Sequence, residues 1–359
     1  MRATMKHVAE RAGVSIKTVS NVVNDHQYVT ADTRRRVQEA IDELGFVPNA
    51  TARSLRLGRS GVVALALPEL RAPYFAELAH HVVRAARGRG WTILVDETRG
   101  ELQQERIAAS GIRPQLIDGL IFSPLALQAR DLPAAEARTP MVLLGERVDG
   151  ASVDLVTVDN PAVAATAVEH LLSLGRRRVA AVGVQGTAVA ETGRLRLAGV
   201  RQALAQAGLG LDPELEVPVL RWHRPDGADA ARRLLAAPRP PDAVVCFNDL
   251  LALGMLRALA DAGVRVPDDI AVIGVDDVED GRYARPSLST VAIDKQEIAE
   301  AAVELLAARV AGDDGPARTV TAGHHLVVRE STAGGHAPAP TGRVRPQRSR
   351  SASRADRPG

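Results

Sequence analysis

The sequence is poor in aromatic residues and nearly devoid of cysteine. Aromatic side chains make up 3% of its 359 residues, and Cys246 is the single cysteine. One cysteine excludes an intramolecular disulfide framework and a zinc site built from clustered cysteines. No run approaches the 18 apolar residues of a transmembrane helix, and residues 1–7 lack the apolar core of a signal peptide. These absences predict a cytoplasmic protein with no cofactor and no metal site.

The charge of the chain is distributed unevenly. Residues 1–60 carry a net charge of +4 and residues 336–359 a net charge of +5, whereas residues 61–335 carry −7. A basic head on an acidic body favours contact between the head and a polyanion such as nucleic acid. A mixed surface with a chance imbalance explains the same numbers equally well.

The head consists of short amphipathic segments. Apolar residues at helical spacing predict helices over residues 5–12, 16–24 and 30–44, which end at the glycines Gly13 and Gly45 or at a polar residue. The first two have the spacing of a helix-turn-helix, whose second helix enters the major groove of DNA. A small helical packing module is the alternative. The residues predicted to face DNA are Ser15, Ile16, Lys17, Thr18, Ser20 and Asn21.

The body alternates short apolar runs with amphipathic helices. This pattern is typical of parallel sheets covered on both faces, and two series of five runs predict two doubly wound subdomains with a cleft between them. The predicted strands are 62–67, 92–96, 119–122, 141–144, 156–158, 179–184, 217–220, 243–247, 270–275 and 290–293. The last segment, 336–359, is rich in arginine and almost free of apolar residues, which predicts a disordered tail.

Long stretches of the chain resemble the lactose-repressor (LacI) family of bacterial transcription regulators. In the head the similarity runs through TMKHVAERAGVSIKTVSNVVN and VTADTRRRVQEAIDELGFVPNATARSLR. In the body it continues through APYFAEL, VDNPAVAATAVEHLLSLG, TGRLRLAGV, FNDLLALGMLRAL, VPDDIAVIGVDD and RPSLSTVAID. It covers about residues 4–333.

The resemblance implies a domain plan. An all-α helix-turn-helix head would occupy residues 1–59, with a hinge helix at about 49–57. A periplasmic-binding-protein-like α/β body would follow over 60–335, with a first lobe at about 60–160 and 290–320 and a second at about 161–289 and 321–335. In the family the hinge helix folds in the DNA minor groove and inserts a leucine between base pairs. The matching positions here are Asn49, Arg53, Leu55 and Arg56, with Leu55 as the inserted side chain and the arginines on phosphates.

The resemblance also places a ligand site in the cleft. Aromatic Tyr74, Phe75 and Trp222 would cover the faces of a sugar ring, while Arg196, Asn248 and Asp276 would bind its hydroxyl groups. Asp159 and Thr192 are weaker candidates, and Asp159 has the alternative of capping the next helix.

Four positions depart from family patterns. Asn21 replaces a frequent arginine or histidine, so family operator preferences do not transfer to that base pair. Ala190 replaces the basic residue of purine-binding members, which argues against a purine corepressor. Ile293 and Lys295 replace the polar–aromatic pair of the lactose-type site, which argues against lactose-like inducers.

An enzyme is the first rival class. The sequence has no Walker A loop, no G-x-S-x-G and no strand-linked G-x-G-x-x-G, and the adjacent Asp276 and Asp277 would point to opposite faces of a strand. A periplasmic-type sugar receptor without a DNA role is the second rival.

The sequence therefore predicts a homodimeric, ligand-responsive transcription factor, and the resemblance favours a repressor. It would bind a palindromic operator and respond to a small molecule, for which a sugar is the favoured class. Ligand-induced release and ligand-induced tightening on DNA are equally allowed, and a lobe movement would carry the signal.

Overall fold

A computed structural model describes residues 3–23, 28–46, 60–110, 116–133, 139–146, 148, 151–185 and 191–333. The chain divides into two compact units, residues 1–61 and residues 62–359. Each unit has its own fold.

Within its described residues, the first unit is a head of three helices. Helix α1 (Met5–Ala12) is capped by Thr4 and ends at Gly13, whose positive φ of 66° permits the sharp turn into α2 (Ile16–Val23). Helix α3 (Ala31–Leu44) is capped by Thr30 and ends at Gly45. Apolar side chains from all three helices form a small separate core, which includes Val8, Val19 and Val37.

The part of the second unit that the structure describes contains two six-stranded sheets. Its elements are β1 (Val62–Leu67), α4 (Pro73–Arg87), β2 (Thr92–Glu97), α5 (Leu102–Ala109), β3 (Gly119–Phe122), β4 (Met141–Leu144), β5 (Asp154–Val158), α6 (Asn160–Ser173), β6 (Val179–Val184), α7 (Glu191–Gln206), β7 (Glu216–Pro218), α8 (Arg224–Leu235), β8 (Ala243–Cys246), α9 (Asp249–Asp261), β9 (Ala271–Val275), α10 (Glu279–Tyr283), β10 (Ser289–Ile293), α11 (Lys295–Val310), β11 (Thr319–Ala322), β12 (His324–Val327) and α12 (Glu330–Ala333). Short 3₁₀ turns lie at Ala129–Asp131 and Pro213–Leu215.

Each sheet is the centre of one lobe. The first has the order β11-β5-β4-β3-β1-β2, and all of its pairs are parallel. The second has the order β12-β10-β9-β8-β6-β7, in which the β10–β12 pair is antiparallel and the other pairs are parallel. The central strands are buried along their length, as in β3, β4 and β8, where all four residues are buried. The predicted fold class is confirmed.

The chain passes between the lobes at three places. It leaves the first sheet after Val158, returns after Ile293 and crosses again at Gly323. The crossing predicted near residue 290 would have assigned β10 to the first lobe, and the one near 320 would have split β11. Both predictions are a few residues early, because an apolar run shows that a strand is buried but not which of two sheets it joins.

Candidate functional site

Helix α2 presents one buried face and one exposed face. Its cap is Ser15, whose Oγ accepts a hydrogen bond from the Thr18 amide at 3.0 Å. Val19 and Val22 are buried in the head core, whereas Ile16 is 51% exposed although it is apolar. The structure places all six residues predicted to read DNA on this helix or at its cap: Ser15, Ile16 and Lys17 are exposed, and Thr18, Ser20 and Asn21 are half-buried.

Asn49, Arg53, Leu55 and Arg56 lie outside the described residues, and so does Ala190.

In the second lobe, Arg196 is the centre of a buried polar cluster. It lies on α7, is 4% exposed, and its Nε donates to Asn160 Oδ1 at 2.7 Å. Its guanidinium also donates to the Phe247 carbonyl and lies 5.4 Å from the centre of the Trp222 ring. Trp222 is fixed in turn, because its Nε1 donates to the Gly183 carbonyl at 3.0 Å. A planar cation and an aromatic face are thus held side by side.

Asn248 has a structural role in this cluster. Its Oδ1 accepts the Leu251 amide at 2.9 Å and so caps α9, while its Nδ2 donates to the Trp222 carbonyl at 3.0 Å. The side chain therefore connects the start of α9 to the segment that carries Trp222. Its predicted contact with a ligand remains a prediction.

A second buried charge, Asp276, directly follows β9. It is 7% exposed, and burial raises the pKa of its carboxyl group to about 6, although Arg196 and Lys295 oppose that rise. Asp249, fully buried at the start of α9, has a pKa raised well above its usual range by burial and by the neighbouring Asp276. Asp276 and Asp277 have positive φ values of 116° and 49°, a conformation that residues with a Cβ seldom adopt.

Tyr74 and Phe75 stand in the first turn of α4 in the first lobe. Their rings meet edge to face, with centroids 5.1 Å apart. Burial raises the pKa of the Tyr74 hydroxyl, Asp276 raises it further, and Arg196 lowers it. Tyr74 of one lobe is therefore close enough to interact electrostatically with the buried charges of the other.

Three glutamates of the first lobe accept hydrogen bonds or ion pairs from the second lobe. Glu69 is 3.2 Å from the Nε2 of His223. Glu77 Oε1 accepts the Glu279 amide at 3.0 Å. Glu146 Oε1 accepts from Thr192 Oγ1 at 3.1 Å and from the side chain of Asn160. The facing edges of the lobes are thus bridged around the cluster of Arg196, Trp222, Asp276 and Tyr74.

Glu146 is one of the bridging glutamates that sequence reasoning missed. It lies just beyond the carboxyl end of β4, and burial raises its pKa while Thr192 and Arg196 lower it. The rule that ligands bind beyond the carboxyl ends of parallel strands could have found it.

The two weaker candidates for ligand binding, Thr192 and Asp159, have different roles in the structure. Thr192 donates to Glu146 and so belongs to the bridged region. Asp159 caps α6, because its Oδ1 accepts the Ala162 amide at 3.0 Å, which is the structural alternative stated above.

The acidic pair Asp276–Asp277 does not form a catalytic dyad. Asp277 is paired with Arg329 at 2.5 Å and Arg282 at 3.2 Å, whereas Asp276 interacts with Arg196. Within the described residues no group of histidine, cysteine, aspartate or glutamate side chains is arranged to hold a metal ion, and no helix is long and apolar enough to cross a membrane.

Comparison with known proteins connects the head and the bilobed body to one kind of protein. Residues 4–49 match the model of bacterial regulatory proteins of the lacI family, and residues 168–332 match a periplasmic binding protein-like domain. The chain is 30% identical to the transcriptional repressor PurR of Photobacterium profundum, over 92% of this chain and 98% of that protein. It is 33% identical to the ribose operon repressor of Escherichia coli K12, over 86% and 93% respectively.

Solved structures agree with this match. A putative LacI-family regulator from Sanguibacter keddieii is 46% identical, with a TM-score of 0.72, and covers 77% of this chain and 100% of its own. A lac repressor dimer bound to operator and an anti-inducer is 28% identical, with a TM-score of 0.80, over 92% of this chain and 99% of that one.

A helix-turn-helix head joined to a bilobed body of this kind defines a DNA-binding transcriptional regulator controlled by a small-molecule effector. The chain belongs to the lacI family of bacterial regulatory proteins. Its relatives are transcriptional repressors and not enzymes, and the match extends through the head, so a sugar receptor without a DNA role is not favoured.

Proposed function

We propose that this protein is a cytoplasmic, homodimeric repressor that binds a palindromic operator and is controlled by a neutral monosaccharide in the cleft between its lobes. The observation that carries the sugar assignment is the packing of Arg196 against Trp222, with the Asp276 carboxylate close enough to interact. A guanidinium donates to hydroxyl oxygens and a carboxylate accepts from hydroxyl hydrogens, so together they bind vicinal hydroxyl groups. The aromatic rings cover the apolar face of the sugar.

A pentose is the favoured monosaccharide, because the relative that is 33% identical is a ribose operon repressor. Other relatives are named PurR, so a purine is the competing effector. The departure at Ala190 argues against it.

The operator assignment rests on the exposed face of α2. In the proposed complex Lys17 would donate to guanine, Asn21 would pair with adenine or a phosphate, and the exposed Ile16 would contact a thymine methyl group. Leu55 of the hinge would insert between base pairs and the hinge arginines Arg53 and Arg56 would contact phosphates, with Asn49 at the start of that segment.

Dimerisation is supported by two exposed apolar side chains, one on each face of the edge strand β2. Leu94 is 44% exposed and Val95 is 41% exposed, and the strand has a neighbour on one side, β1. The structurally similar lac repressor is a dimer. Two copies would present two heads, which is why a palindromic operator is expected.

The test is calorimetric titration of the full-length protein with D-ribose, cellobiose, lactose and hypoxanthine. We expect D-ribose to bind, and Asp276→Asn to remove that binding. Asp261→Asn, which changes an exposed carboxylate on the same lobe, is the matched control and should bind as the wild type does. Binding of hypoxanthine with no binding of any sugar would overturn the sugar assignment.

A further inference from the structure

The turn that carries Asp276 is held in an unfavourable backbone conformation. Asp276 and Asp277 both have positive φ values, and such residues keep that conformation only where surrounding contacts impose it. The direction of the Asp276 carboxylate therefore depends on the groups that hold this turn.

Part of the support comes from the second lobe itself. The Asp276 amide donates to the Val291 carbonyl at 3.0 Å, and the Val278 amide donates to Asp249 Oδ2 at 2.9 Å. Thr290 Oγ1 accepts the Asp277 amide at 3.3 Å and donates to Asp249 at 2.7 Å. These contacts hold the amides of the turn and leave its carbonyl oxygens free for another donor.

The carbonyl oxygens are held by a lysine that starts a helix of the first lobe. Lys295 is the first residue of α11, immediately after the chain returns from the second lobe, and it is 8% exposed. Its Nζ donates to the Asp276 carbonyl and, at 3.3 Å, to the Asp277 carbonyl. The hydrogen bonds from Lys295 to the strained turn therefore cross the boundary between the lobes.

Lys295 is oriented by α4 of the first lobe. Its Nζ is 2.9 Å from Glu77 Oε2 and 5.8 Å from the centre of the Tyr74 ring. The other oxygen of the same carboxylate, Glu77 Oε1, accepts the Glu279 amide just beyond the turn. Glu77 and Lys295, called the clasp from here on, thus hold the segment 276–279 from the first lobe at three backbone groups.

We propose that the clasp is a positioning pair that fixes the Asp276 carboxylate for the effector only while the lobes keep the angle seen here. The clasp acts through Asp276 and links the geometry of the effector site to the position of the first lobe. A change in lobe angle withdraws Lys295 and Glu77 and releases the turn. The inference rests on the proposed effector site at Asp276.

The first test follows amide hydrogen exchange in the full-length, sugar-free protein. Lys295→Met and Glu77→Gln should each accelerate exchange in a peptide that covers 276–279 by about tenfold, and the double variant should match the faster single one. Exchange in the core strand Ala243–Cys246 should not change. Lys295→Arg, which restores a cationic donor, should return most of the protection.

Arg178→Met is the control, because it removes a cationic side chain from another ion pair of the second lobe, in which Arg178 lies 2.9 Å from Asp212. It should leave 276–279 at the wild-type rate. Exchange within twofold of the wild type in both Lys295→Met and Glu77→Gln would overturn the proposal, and so would equal acceleration in the control.

A second measurement separates this inference from the proposed function. Calorimetry with D-ribose should give at least a tenfold weaker Kd for Lys295→Met and for Glu77→Gln, with recovery in Lys295→Arg. If the wild type itself does not bind D-ribose, the pentose assignment fails, while the exchange experiment still decides whether the clasp holds the turn. An unchanged Kd in both variants beside a binding wild type would overturn the coupling.

Discussion

At the scale of single residues, the cleft is notable for charges that are expensive to bury. Arg196 and Asp276 are both nearly inaccessible, and each is partly compensated by the other and by fixed dipoles such as the Phe247 carbonyl. Burying ionised groups costs free energy unless partners replace the lost water. A neutral polyhydroxyl ligand supplies such partners, which is the physical argument for a sugar in this place.

If Asp276 binds the proposed sugar, its raised pKa should make sugar affinity dependent on pH. The sugar hydroxyls need the ionised carboxylate as acceptor, so affinity should fall about tenfold for each pH unit below 6 and level off above it. In the sugar-free protein the stability of the fold has the opposite pH dependence: it decreases as the pH rises. The raised pKa contributes stability below about pH 4, and this contribution is lost as the pH rises through 6.

Calorimetric titration with D-ribose between pH 5 and 7.5 measures the dependence. Glu146→Gln is the informative control, since burial also raises the pKa of Glu146: a profile that persists in this variant excludes Glu146 and leaves the transition with Asp276 and the neighbouring Asp249. A flat profile in the wild type would contradict the assignment.

At the scale of elements, two helices of the second lobe touch through glycine. A Cβ added at Gly254 on α9 would lie 1.8 Å from the Arg224 carbonyl oxygen of α8, and one added at Gly227 on α8 would lie 2.0 Å from the Leu251 carbonyl oxygen of α9. Backbone cannot withdraw as a flexible side chain can. The contact sets the position of α9, which begins at Asp249 and is capped by Asn248.

Gly254→Ala should therefore lower the free energy of unfolding by about 1–3 kcal/mol through overpacking. Urea denaturation followed by circular dichroism measures the change. Gly210→Ala is the control, because a Cβ at that position meets nothing within 4 Å. Equal stability of the two variants would show that α8 and α9 separate without cost.

The two faces of helix α2 have different roles: the buried face stabilises the head, and the exposed face is predicted to contact DNA. Lys17 is exposed, so Lys17→Ala should leave Tm unchanged and weaken operator binding by about 1–3 kcal/mol if it contacts a guanine. A fluorescence anisotropy titration with operator and with random DNA distinguishes a base contact from a phosphate contact.

Arg35→Ala removes the same charge from α3 of the same head, where Arg35 is paired with Asp32 and Glu39. Suppose that Lys17→Ala and Arg35→Ala each weaken binding to operator and to random DNA by the same factor. Lys17 then contributes only its charge, and the predicted base contact is wrong.

Most of the elements could be predicted from the sequence, for identifiable reasons. Continuous apolar runs predicted the buried strands, and glycine or a polar cap indicated the helix ends at Gly13, Gly45 and Thr30. Strands β11 and β12 were missed because Thr319–Ala322 and His324–Val327 are largely exposed or half-buried and carry threonine and histidine. Their strand conformation is imposed by pairing with β5 and β10, which no local pattern reports.

The candidate site was predictable only in part. Residue type and resemblance placed Arg196, Asp276 and Trp222 together. The bridging glutamates Glu77 and Glu146 were not found, because their importance depends on which side chains of the other lobe they meet, and this is a tertiary property.

At the scale of the whole molecule, the proposed sugar signal must pass from the body to the head. We expect D-ribose to change operator affinity of the full-length protein by about 5- to 150-fold, which is the usual range of allosteric coupling. Titrating operator with and without D-ribose gives both the size and the sign. In Asp276→Asn operator affinity should stay at the wild-type value and the response to sugar should vanish; a retained response would remove Asp276 from the pathway.

The dimer makes a separate prediction. A double change, Leu94→Glu with Val95→Glu, places two charges on the exposed edge strand β2 and should give a monomer in sedimentation velocity, with loss of tight operator binding. Leu174→Glu, at a comparably exposed leucine outside β2, should remain dimeric. A double variant that stays dimeric would place the subunit contact elsewhere.

The solitary thiol of Cys246 has a practical consequence. It is fully buried at the end of β8, and burial raises its pKa, so in the native protein it is neither accessible nor present as thiolate. A maleimide dye added to the folded protein will therefore meet no competing sulfur. A cysteine introduced at Leu220, which is 81% exposed, can then carry a single fluorophore beside the cleft and report each event there in real time.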